Sequence, residues 1–125
     1  SASKNADAKV TAWAAATQHE TPNETHFQIC AQFWQLDQDD LLAPYTDAYL
    51  DVVAAIGEQK GVWATASTTI RQHVLGLLFP RPLADAAFIA KLDAFLAERT
   101  LPESVQRLVL ERRDDAVRAL KNQGN

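Results

Sequence analysis

The chain has no methionine and one cysteine, Cys30, in 125 residues. A lone thiol excludes an intrachain disulfide and any thiolate cluster for zinc or iron–sulfur, and it is compatible with a reducing compartment. Glycine is scarce too, at four residues. Gly57, Gly61, Gly76 and Gly124 stand far apart and form no loop that could cradle a phosphate. No apolar run approaches the roughly 20 residues of a membrane span, and the Ser-Ala-Ser-Lys-Asn-Ala opening has no apolar signal core. Excess positive charge is also missing, since 12 Lys and Arg face 16 Asp and Glu for a formal net charge of -4. The last quarter does gather Arg107, Arg112, Arg113, Arg118 and Lys121, but Glu111, Asp114 and Asp115 interrupt that field. It reads as a solvated helix face laced with i,i+4 pairs, with neither nucleic acid nor membrane as a partner. Sustained period-two alternation is absent too, which argues against a sheet.

What is present is helical periodicity punctuated by caps. A first helix is predicted over about 6–17, with Val10, Trp13 and Ala14 on one side. Thr21-Pro22-Asn23-Glu24 has the composition of a capping box, with Thr21 as N-cap, and launches a second helix through Trp34 that buries Phe27, Cys30 and Phe33 or Trp34. Asp37 caps a short segment containing Asp39, Asp40, Leu41 and Leu42. After Pro44, the residues Tyr45, Tyr49, Val52, Val53 and Ile56 form one apolar stripe. Gly57 is either an interior cost or a close-packing point, and Gly61 reads as the stop. Ser67 caps a helix carrying Ile70, Val74, Leu77 and Leu78, which Phe79-Pro80-Arg81-Pro82 ends. Another helix spans about 85–98 with Phe88, Leu92, Phe95 and Leu96 on one face. Thr100-Leu101-Pro102-Glu103 then reads as a further cap for a long final segment, with an interruption near Arg113 and Asp114. The fold class is therefore all-α, with antiparallel helices stacked as a HEAT-like solenoid fragment or an irregular bundle. Residues 1–125 form a single helical domain. Lacking an initiator methionine, they read as a segment excised from a longer protein.

Residues that could carry chemistry are few. His19-Glu20-Thr21-Pro22-Asn23-Glu24-Thr25-His26 holds two histidines and two glutamates. A helical zinc site needs its histidines four apart on one face, whereas these are seven apart with Pro22 between them, so loop polarity and a helix-start histidine explain them better. His73 follows Ser67, Thr68 and Thr69 without a specified partner and reads as structural or solvent-facing. Asp37, Asp39 and Asp40 lack the glycine turn and terminal glutamate of a calcium loop. Trp13, Trp34 and Trp63 read as core or interface anchors. No catalytic, cofactor-binding or metal-ligating residue is assigned; the alternative readings are a free-standing helical interaction or adaptor module and, behind it, a small helical ligand-binding protein.

The order of several short stretches resembles the last part of the aminopeptidase N family of gluzincin zinc metallopeptidases, actinobacterial members in particular. They are Phe33-Trp34-Gln35 with Gln38, Leu41-Leu42-Ala43-Pro44-Tyr45, Tyr49-Leu50, Trp63 before a serine-bearing helix start, and Gly76-Leu77-Leu78-Phe79-Pro80. Leu101-Pro102-Glu103-Ser104-Val105-Gln106-Arg107-Leu108-Val109-Leu110-Glu111, then Asp114-Asp115 and Arg118-Ala119-Leu120, complete the match over about 33–121. The resemblance implies a C-terminal helical domain that packs on the catalytic and remaining helical domains of one cytoplasmic polypeptide. That domain walls the cavity through which peptides reach the zinc. The zinc-binding and exopeptidase motifs of the family match no position here, and neither Tyr45 nor Tyr49 takes the family's catalytic tyrosine role. The fragment itself is implied to hold no cofactor, with zinc in the parent enzyme. Trp13, near the N-terminal end, is expected to be exposed or in a non-native contact once those neighbours are removed.

Overall fold

The structure, a computed structural model, describes residues 2–35 and 39–123. Its helices are α1 (Ala2–Thr17), α2 (Asn23–Gln32), α3 (Asp39–Leu42), α4 (Pro44–Glu58), α5 (Thr68–Gln72), α6 (Ala86–Ala97) and α7 (Glu103–Gln123). Helix α5 runs without a break into a π turn, His73–Leu77, and short 3-10 turns occupy Gly61–Ala64 and Arg81–Leu83. No strand occurs among the described residues, so the chain is all-α. Helix α1 lies on α2, and α2 lies on α5 and its π turn. Helix α7 closes the other side of the π turn and also meets α4 and α6. The result is an irregular, solenoid-like stack in which α5 and its π turn sit between helices from both ends of the chain.

Ser67 caps where the sequence places it, and Asp85, read only as the start of its helix, caps as well. The Ser67 hydroxyl accepts from the Ile70 N–H at 3.2 Å, and Asp85 Oδ1 accepts from the Phe88 N–H at 2.8 Å. Thr21 and Thr100 do not cap. Helices α2 and α7 start at Asn23 and Glu103, and the carbonyls of Pro22 and Pro102 accept their first N–H bonds, from His26 at 2.8 Å and Gln106 at 3.0 Å. Proline has taken the capping position and no side-chain oxygen caps α2. Thr21 instead turns its hydroxyl back to donate to the Ala15 carbonyl of α1 at 2.8 Å. Asp37, expected as a third cap, lies outside the described residues.

Helix α4 ends in a Schellman motif, not at Gly61. Gln59 takes the left-handed conformation, φ 56°, while its N–H reaches Ile56 O at 3.2 Å and the Lys60 N–H reaches Ala55 O at 3.0 Å. Gly61, at φ 58°, opens the following 3-10 turn. Gly57 is a close-packing point: a Cβ there would lie 2.9 Å from Leu101 Cδ2, so its bare backbone lets the α6–α7 connection sit against α4.

The apolar stripes of α4, α6 and α7 meet in one core that includes Phe33, Tyr49, Val53, Leu78, Leu92 and Val109. Three expectations fail. Val10 is 61% and Phe27 44% exposed, since the inward faces of α1 and α2 are set by Trp13 and Ala16 and by His26 and Cys30. Of the two outcomes expected for Trp13, exposure does not occur: it is buried, its ring 5.1 Å from that of Phe33 and 5.2 Å from that of Tyr45. Helix α7 is continuous through Arg113 and Asp114, because Arg113 reaches across to α6 and grips both Asp93 oxygens, Nε–Oδ1 2.7 Å and Nη2–Oδ2 2.9 Å.

Leu92 is fully buried where α6 faces the core. Its replacement by alanine is expected to lower unfolding free energy by about 2 to 5 kcal/mol. Chemical denaturation checks this, and an unchanged midpoint would remove Leu92 from the core.

Candidate functional site

The distinctive interior feature is the end of α5. A helix leaves its last carbonyls without intrahelical donors, and here the natural successors are poor: Pro80, five residues beyond Leu75, has no N–H. The backbone supplies one bond, Leu78 N–H to Val74 O at 3.1 Å. Side chains from α4 and from the turn after α2 supply two more. The Tyr49 hydroxyl of α4 donates to Leu75 O at 2.6 Å, and the Trp34 indole Nε1 donates to Leu78 O at 3.0 Å. Burial pushes the Tyr49 phenol up, against a smaller opposing influence from the Arg112 charge, so it remains a neutral donor at every physiological pH. Arg112 lies along Gly76, where an added Cβ would be 3.5 Å from its Nε.

Beside the π turn, the two helices in contact pair their histidines. His26 Nδ1 and His73 Nδ1 are 3.0 Å apart, with the rings stacked at 5.2 Å. His26 Nε2 lies 3.0 Å from Ala16 O. A carbonyl can only accept, so Nε2 of His26 carries hydrogen and, in the neutral ring, its Nδ1 accepts the hydrogen on Nδ1 of His73. Burial, and secondarily His26, hold the His73 imidazole below its ordinary range. Cys30 Sγ sits 3.8 Å from both ring nitrogens of His26, and burial pushes its thiol up to about 12, which leaves a poor nucleophile.

Sequence periodicity assigned His26 to a polar helix start, whereas it is fully buried. The missed signal was phase: position 26 lies four before Cys30 and seven before Phe33, on the inward stripe of α2. Pairing with His73, 47 residues away, had no local signature. His19 remains exposed and apart, as do Asp39 and Asp40. Trp34 and Trp63 are buried, and the Trp63 carbonyl receives an Arg71 N–H at 2.9 Å. Tyr45 packs its ring on Trp13 and Phe33. Among the described residues no group of three or more His, Cys, Asp or Glu could hold a metal ion. The zinc implied for a parent enzyme therefore has no fitting donor set among them. No helix among them is long and apolar enough to cross a membrane. The arrangement is a largely buried polar frame, in which Tyr49 and Trp34 serve backbone carbonyls and His26 pairs with His73.

Comparison with known proteins links this helical fold to aminopeptidases. The chain is 32% identical over 117 residues to an aminopeptidase N of Streptomyces lividans. The alignment takes in 93% of this chain and 13% of that protein, so the chain spans only a small part of its relative's length. No protein-family model matches the chain, and no solved structure matches it significantly.

Tyr49→Phe keeps the ring and strands the Leu75 carbonyl, so it is expected to cost about 1 to 3 kcal/mol, while Tyr45→Phe on the half-buried ring stays within about 0.5. Denaturant titration of both variants checks the contrast. For His73, a base whose folded pKa is lowered stabilises the fold fully above its unfolded value of 6.5. That contribution is lost as pH falls from there through the lowered folded value, because the unfolded chain then binds the additional proton. Stability measured from pH 7 downward should decline, and His73→Leu should flatten the part of the slope that this ring carries.

Proposed function

We propose that these residues form part of the C-terminal helical domain of a zinc aminopeptidase, which removes N-terminal amino acids from peptides. In this reading they act as scaffold and as wall of the cavity through which peptides reach the metal. The observation that carries it is the similarity to an aminopeptidase N along 93% of the chain. The packing is consistent with it. The interior donors of Tyr49 and Trp34 are committed to backbone carbonyls, and His26 and Cys30 are turned inward, which suits a part that positions and encloses. The parent's chemistry, attack of zinc-activated water on the first peptide bond, belongs to residues outside this chain. These helices would contribute orientation and restricted access, which alter rate without supplying a metal ligand. The remaining domains of the same cytoplasmic polypeptide would be the partners.

The test is to purify the chain and its full-length parent, assay both with an aminoacyl amide reporter, and titrate bound zinc. The parent is expected to turn over the reporter with stoichiometric zinc, and the chain to do neither. Deleting residues 33–121 from the parent should impair folding or turnover without removing a metal ligand. Activity with tightly bound zinc in the isolated chain would overturn the proposal. A parent with neither peptidase activity nor zinc would favour a helical adaptor module.

A further inference from the structure

A cleft of about 400 Å³ opens between the end of α4, one face of α5 and the first turns of α7. That is within the usual size of small-molecule sites, roughly 300 to 1,000 Å³. Ile56, Leu75 and Leu108 give it apolar wall, and Arg71, Arg107 and Glu111 give it charge. Arg71 is the unusual member. It is half-buried, yet its guanidinium makes one hydrogen bond, to the Trp63 carbonyl, and its Nε is buried without any partner. The other half-buried arginines, Arg112 and Arg113, pair with Asp115 and Asp93, whereas no carboxylate among the described residues pairs with Arg71. Partial burial makes an uncompensated cation costly, and a guanidinium presents a fork of donors shaped for a carboxylate.

The surrounding charge sets the valence of an anion that would suit Arg71. Arg107 is already offset by Glu103 at 3.1 Å, and Glu111 adds a negative charge to the cleft wall. Arg71 is left as the cleft arginine without an ion-pair partner among the described residues, and Glu111 on the wall would repel the second charge of a dianion. The first turn of α7 borders the same cleft with the positive end of its helix. We propose that this cleft binds an aliphatic monocarboxylate, with its anionic group on Arg71 and its apolar part against Ile56, Leu75 and Leu108. A free branched-chain acid and the C-terminal residue of a peptide share that chemistry. The proposal stands independently of the aminopeptidase reading.

Heteronuclear NMR titration of the chain with isocaproate, with N-acetyl-alanyl-leucine and with the C-terminal amide of the same dipeptide tests it. Saturable shifts are expected at residues 68–72 and 104–108 with at least one acid, and the tighter acid identifies the source. The dipeptide amide should bind at least about tenfold more weakly than the dipeptide acid wherever that acid binds. Arg71→Gln should weaken acid binding about tenfold, and Glu111→Gln, which removes the opposing charge without touching the Trp63 bond, should strengthen it about two- to threefold. Saturation by neither acid, shifts confined to other residues, an amide that binds as well as its acid, or weaker binding in Glu111→Gln would each overturn the proposal. Should Arg71→Gln fail to fold, the acid–amide comparison and Glu111→Gln still decide it.

Discussion

The fold depends on finding hydrogen-bond donors for the end of α5. That segment is enclosed by α2 and α7, so its terminal carbonyls cannot turn to water, and Pro80 denies them one backbone partner. Tyr49 answers from α4 and Trp34 from the turn that follows α2. Each aromatic ring thereby has two tasks, filling core volume and delivering one polar hydrogen to a fixed point. A purely apolar residue of equal size would do the first and fail the second. The π turn is stable because three helices agree on its geometry, and its own residues are insufficient to specify it.

The same enclosure explains the paired histidines. Two imidazoles in contact hold one another through a single hydrogen, with the Ala16 carbonyl fixing the tautomer of the inner ring. A second positive charge in that pair would set N–H against N–H, so the arrangement tolerates one cation at most. Surface electrostatics differ in kind. The Arg113–Asp93 clasp joins α7 to α6 in a bidentate geometry that outweighs the ordinary exposed pairs, such as Lys91 with Asp47, which water and salt largely screen.

Much of the helical layout was legible because apolar spacing and cap residues are local. Ser67 and Asp85 stand at their helix starts with side-chain oxygens on the third amide, and the stripe through Tyr49, Val53 and Ile56 faces the core. The failures have equally local causes. Thr21 and Thr100 were outcompeted by the neighbouring prolines, whose carbonyls open the helices. Gln59 took a left-handed position that glycine usually fills, because the Schellman bonds hold it there. The internal site was less legible. Residue type labelled His26 polar and Phe27 apolar, while helical phase puts the histidine inside and the phenylalanine outside, its ring edge-on to His73 at 5.4 Å. The π turn and its distant donors leave no mark on any short window of sequence, since what selects them is the placement of other helices.

The bonds at the end of α5 also set an order of events in time. They join residues 26 and 44 positions apart, Tyr49 with Leu75 and Trp34 with Leu78. Isolated helical turns form within about a microsecond, but a turn whose carbonyls await side chains this distant cannot settle until the intervening loops have closed. The π turn therefore belongs to the downhill side of the folding barrier, where lost contacts accelerate unfolding far more than they retard folding.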